Sequence, residues 1–198
     1  MRRLSLPLVL AFLVAACGGS SVTPTPVSRA SVATSFPETW AGPVTMSTHI
    51  TGEVQELTIV AQGNIVWQRQ EDDTDSDLVP LAGTARYTSS FGLLQVTYDL
   101  VGGGCSEQGF GSLPFHDEDA SFLLNVNGIY DGDVNWRETP PFATIVTCGP
   151  ASAVRPAAVV FLEGFVMNGI KVDGRIKGEW TKVEGDATYS ATWDLTPQ

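Results

Sequence analysis

The groups best equipped for chemistry in this chain are carboxylates, and they crowd most densely at Glu71-Asp72-Asp73-Thr74-Asp75-Ser76-Asp77. Asp73, Asp75 and Asp77 stand at alternate positions, the spacing with which a loop wraps hard oxygens around calcium. The pattern then stops. Leu78 occupies the place where such a loop needs glycine, and Thr84 the place of its bidentate glutamate. A calcium site on Asp73, Asp75 and Asp77 would therefore need ligands from elsewhere, and a short acidic run by itself is expected to be a solvated loop. Asp117-Glu118-Asp119 is a smaller cluster of the same kind. No cofactor is called for, calcium being the one candidate.

Aromatic side chains are the second chemical resource. Trp40, Trp67, Trp136, Trp180 and Trp193 could stack on sugar rings if exposed, but aromatics in a sheet usually pack inside. Trp193 and Trp67 share faces with apolar neighbours and are expected in the core. Trp136 and Trp180 have mixed, polar neighbours and are the expected exposed pair.

Hydrolytic machinery does not assemble. His49 and His116 are the only histidines, and neither belongs to a G-x-S-x-G nucleophile turn. His116 beside Asp117 is a dipeptide, whereas triads are defined by spatial arrangement. With 22 acidic residues, any pair of carboxylates chosen as a glycosidase couple would be arbitrary. Val101-Gly102-Gly103-Gly104 lacks the lysine of a phosphate cradle and reads as a loop leading to Cys105.

Charge narrows the partners. The 198 residues carry 11 Lys+Arg against 22 Asp+Glu, a net of −11, and beyond Arg2-Arg3 the cations are scattered singly. Displacing counterions from nucleic-acid phosphates needs clustered cations, so nucleic acid is excluded as a partner. The same charge disfavours electrostatic attachment to anionic lipid.

The first residues supply a different route to a membrane. Met1-Arg2-Arg3 is basic, and Leu4 to Ala16 is an uncharged apolar run of 13 residues, too short to span a bilayer. This is the pattern of a secretory signal. Val14-Ala15-Ala16-Cys17 then resembles the lipobox of bacterial lipoprotein precursors. That resemblance covers residues 1–20. It implies cleavage before Cys17, lipid on the Cys17 thiol, and anchoring in the cell envelope through two or three acyl chains. Because Gly18 is not aspartate, it further implies the outer membrane in a two-membrane bacterium, or the outer face of the cell membrane otherwise. Loss of Arg2 and Arg3 would leave nine basic residues against 22 acidic, a net of −13. Residues 17–35, rich in Gly, Ser, Thr and Pro, have linker composition.

From residue 36 to 198 the dominant period is two, the strand signal. Val44, Met46, Thr48 and Ile50 alternate with polar neighbours, as do Leu94, Val96, Tyr98 and Leu100, and Phe122, Leu124 and Val126. The cleanest run is Ala187, Tyr189, Ala191, Trp193 and Leu195. Hairpin turns are expected at Gly63-Asn64, Asn127-Gly128, Asp131-Gly132, Asn168-Gly169, Asp173-Gly174 and Glu184-Gly185-Asp186. The expectation is a single all-β domain of ten to twelve short antiparallel strands, either a barrel or a sandwich. Trp40-Ala41-Gly42 resembles the tryptophan that closes one barrel end in lipocalin-like proteins, although Thr39 replaces the glycine that precedes it there. Cys105 and Cys148, the two cysteines left beside Cys17, are expected to be bridged outside the cytoplasm.

Two functional readings follow. The first is a lipid-anchored domain that binds a partner or builds the envelope without catalysis. The second is a calcium-dependent or carbohydrate-directed module, hydrolytic in its extreme form. A concave face with Trp136 or Trp180 exposed beside carboxylates favours the second. Five buried tryptophans favour the first.

Overall fold

The structure, a computed structural model, describes residues 35–70, 83–116 and 119–198, and the side chains of all of these except 157 and 158. The period-two runs become strands: β1 (Thr39–Thr51), β2 (Gln55–Arg69), β3 (Thr84–Gly102), β4 (Cys105–Phe115), β5 (Ala120–Asn125), β6 (Ile129–Val134), β7 (Arg137–Glu138), β8 (Phe142–Cys148), β9 (Ala151–Ala158), β10 (Phe161–Leu162), β11 (Phe165–Ile170), β12 (Ile176–Glu184) and β13 (Ala187–Pro197). No helix occurs among the described residues. Eleven strands make one antiparallel sheet, and β7 with β10 makes a second of two strands. The chain is all-β, as its periodicity demands.

The main path runs β11-β6-β5-β3-β2-β1-β13-β12. Its two end strands are consecutive in the chain and joined by the turn Val172–Arg175, so the sheet curls until its edges face each other. The result is a barrel with one unzipped seam. The inward face of the main-path strands is largely apolar. Trp40, Met46, Ile65, Trp67, Tyr87, Leu94, Phe122 and Tyr130 are all essentially removed from solvent. Each such side chain contributes roughly 1.5–3 kcal/mol by burial. Tyr87 stacks on Phe122 at 4.9 Å between centroids, and both meet tryptophans edge-on. The indole N–H groups are the cost of this filling. Those of Trp40 and Trp193 lie beside the Tyr87 and Tyr130 hydroxyls outside hydrogen-bond geometry, and that of Trp67 has no partner among the described residues.

Strand β3 pairs with β2 along one edge and serves two neighbours along the other. Its first part, Thr84–Thr88, pairs with β5, and its second, Gly92–Gly102, pairs with β4. Between them Ser89, fully buried, donates to the His116 carbonyl at 2.7 Å and accepts from the Ala120 N–H at 3.0 Å. One hydroxyl thus stands in for the ladder where the sheet forks. Beyond the fork β4, β8 and β9 form a side wing, tied by a disulfide between Cys105 and Cys148, which face each other in register.

The turn expectations divide. Asn127-Gly128, Asp173-Gly174 and Gly185 do turn the chain, with Gly128, Asp173, Gly174 and Gly185 at positive φ. Gly63-Asn64, Asp131-Gly132 and Asn168-Gly169 instead lie inside β2, β6 and β11. There glycine answers a different demand. A Cβ on Gly63 would strike the Leu93 carbonyl, and one on Gly132 the Ser121 carbonyl and Phe122. The strands approach so closely at these points that only glycine fits.

Candidate functional site

The seam between β11 and β12 is held open by a wedge. Tyr130, 1% exposed, projects from β6 and donates its hydroxyl to the Lys177 carbonyl of β12 at 2.8 Å. Two glycines make room. A Cβ on Gly169 of β11 would sit 2.7 Å from the Tyr130 oxygen, and one on Gly178 of β12 would sit 2.5 Å from the Trp193 ring. Among the described residues β11 ladders only with β6 and β12 only with β13. The phenol thus takes a carbonyl that a barrel-closing ladder could have used. Burial raises the Tyr130 pKa above its ordinary value, partly opposed by the Trp193 indole.

Where the seam opens to solvent, side chains make a groove of about 290 Å³ lined by Asp133, Trp136, Glu163, Phe165, Val166 and Trp180, among others. Phe165 is buried, stacked on interior Trp193 at 5.6 Å and tilted against Trp180 at 6.3 Å. A continuous aromatic run therefore leads from the core to the groove floor. Trp180 is half-buried, while Trp136 is 62% exposed and leans on Phe161, itself 59% exposed, at 6.0 Å.

The backbone carrying Trp136 is well fixed. Gly164 runs so close beneath it that a Cβ there would sit 2.7 Å from the Trp136 nitrogen. The Asn135 N–H donates to the Asp119 carbonyl at 3.0 Å. Next along the chain, Arg137 pairs with Asp119, donates to the Pro114 carbonyl at 3.1 Å and covers the Phe115 ring. Burial lowers the pKa of that guanidinium. An exposed indole on an anchored backbone loses little entropy when a ligand stacks on it.

The groove is polar in one sense only. Glu163 accepts a hydrogen bond from the Lys182 ammonium at 2.9 Å, and Glu184 accepts another at 2.9 Å. These two bonds, Glu163 first, raise the Lys182 pKa well above its ordinary value. The groove lining itself carries two carboxylates, Asp133 and Glu163, and no cation, so it is net negative apart from the Lys182 partner that Glu163 holds beside it.

Sequence reasoning singled out Trp136 and Trp180, and the structure brings them to the same groove. It did not find Asp133, Phe161, Glu163 or Gly164. Their neighbourhood depends on the pairing of β6 with β11 and β7 with β10, which no local pattern announces. His49 lies on an outer face, hydrogen-bonded to Thr58 and Thr51, and 3.6 Å from Glu56. Cys17, the acidic run with Asp73, Asp75 and Asp77, and the pair Asp117-Glu118 lie outside the described residues. Among the described residues no group of three or more His, Cys, Asp or Glu is placed to hold a metal.

Comparison with protein-family models, curated proteins and solved structures finds no match to this chain. The functional reading therefore rests on the groove alone.

Proposed function

We propose that this chain is a lipid-anchored envelope domain that binds a saccharide in the groove between Trp136 and Trp180, without catalysis. The observation that supports it is an exposed indole, on an anchored backbone, in a concave site with carboxylates at its rim. The apolar C–H face of a pyranose ring suits the indole, and its hydroxyls suit Asp133 and Glu163 as acceptors. At about 290 Å³ the groove lies near the small end of ligand sites, which suits one or two sugar rings better than a protein surface. Glycoside hydrolysis needs one carboxylic acid to give up a proton. Glu163, ion-paired with Lys182, is arranged to accept hydrogen bonds, which supports binding over hydrolysis. A larger hollow beside Phe110, Pro140 and Pro141 has Gln95 and Ser112 as polar groups but no carboxylate and no tryptophan in its lining, so it lacks the indole on which a sugar ring would stack.

The test is a panel of soluble oligosaccharides titrated against the full chain in mild detergent, read by intrinsic tryptophan fluorescence and calorimetry. At least one neutral glycan should bind saturably. Trp136→Ala should weaken it roughly tenfold or more, the size expected when a central aromatic contact is truncated. The same variant should leave the melting temperature nearly unchanged, because that side chain is largely in solvent. Equal binding by wild type and Trp136→Ala, or no saturable glycan, would overturn the reading.

A further inference from the structure

The side wing ends in a strand with an open outer edge. Along β9, Ala151 to Pro156 are all exposed although the strand is paired with β8 on one side. Its other edge pairs with nothing among the described residues. Free edges are normally guarded by charge, bulges or proline, because unpaired N–H and C=O groups recruit further strands. Strand β12, the end of the main path at the seam, follows that rule: it carries Lys177, Glu179, Lys182 and Glu184. In β9 the guards are Arg155 and Pro156, in the second half of the strand, and they leave Ala151 to Val154 open.

Charge decides which strand fits there. The chain has 22 acidic residues, yet the 24 residues from Thr139 to Leu162 contain none, and Arg155 is their one cation. Two copies at −11 each repel over most of their surfaces. The outer part of the wing, β8 and β9, is where they can approach without opposed carboxylates. Ala151, Ser152 and Ala153 are small enough for close backbone approach. Val154, 71% exposed, stands directly across from Ile145, 53% exposed, so one face of the wing already carries an apolar pair at the edge.

We infer that β9 pairs antiparallel with β9 of a second copy, about a two-fold axis at Val154. Val154 then meets its own counterpart, and Ile145, Val154 and their two equivalents form one apolar row across a continuous sheet. Such an isologous contact closes on itself and stops at a dimer. Its ladder is short, because Pro156 lies opposite Ser152 and has no N–H to give, so the pairing is weak in dilute solution and is favoured where copies are concentrated. This inference is independent of the saccharide reading.

Cysteine cross-linking in cells expressing the full chain tests it. Val154→Cys places one added thiol at the axis, and Glu179→Cys places one on the guarded edge as control. After mild oxidation, Val154→Cys should give a disulfide dimer of twice the chain mass, in roughly tenfold or greater excess over Glu179→Cys. Mass mapping should show Cys105–Cys148 intact. Adding Ser152→Pro, which removes an edge N–H, should abolish the dimer while the melting temperature holds. Equal dimer from both thiols, no dimer from Val154→Cys, or a cross-link to a protein of different mass would each overturn the inference.

Discussion

Replacing Tyr130 by phenylalanine removes one oxygen atom from the seam and leaves the ring that props it. That oxygen donates to the Lys177 carbonyl at 2.8 Å, on a side chain 1% exposed. The carbonyl belongs to β12, whose seam edge has no ladder partner among the described residues. Losing the donor costs the net hydrogen bond plus the penalty of an unsatisfied acceptor, together about 1–3 kcal/mol. For a domain of this size each kcal/mol lowers the melting temperature by roughly 2–4 °C. The expected fall is therefore roughly 2–12 °C, measured by circular dichroism on the full chain. A second signature separates this from generic damage. Burial raises the Tyr130 pKa above its ordinary value of 10.0, so on alkaline titration the unfolded phenol loses its proton before the folded one. The stability it confers is whole below pH 10 and is lost as pH climbs toward the folded pKa. Tyr87 and Tyr98 are raised for the same reason and add to the loss. Tyr130→Phe should thus be less stable than wild type at neutral pH, with a shallower alkaline decline. An unchanged melting temperature, or an alkaline profile parallel to wild type, would refute the account of the seam.

Two further outcomes follow from the chain's cysteines. The double variant Cys105→Ser, Cys148→Ser opens a loop with a sequence separation of 43 and should lose about 2–4 kcal/mol, and amide exchange should rise first in β8 and β9, because barrel contacts do not depend on the bridge. Cys17→Ser should release the protein from membranes in a bacterial host, and association that survives both the substitution and a salt wash would rule out the lipid anchor.

Strand identity was legible in the sequence because half-burial writes itself as a period of two. Val44, Met46, Leu94, Val96, Phe122, Leu124, Ala191, Trp193 and Leu195 all face inward as their alternation requires. The pairing of Cys105 with Cys148 was legible too, since beside Cys17 the chain has two cysteines, which leaves each one partner. The exposed state of Trp136 was readable from its polar neighbours, Asn135 and Arg137. What could not be read is everything that depends on the distance between strands. Asn-Gly and Asp-Gly mean a turn where the backbone needs positive φ, as at Gly128 and Gly174. They mean an interior strand where a neighbour's carbonyl excludes a Cβ, as at Gly132. The residue type is the same, and only tertiary contact distinguishes the two demands. The groove belongs to the same class. Trp136 and Trp180 are 44 positions apart in the chain, and what joins them is Tyr130 keeping β11 and β12 unzipped, a balance between one phenol and a ladder that no local pattern records.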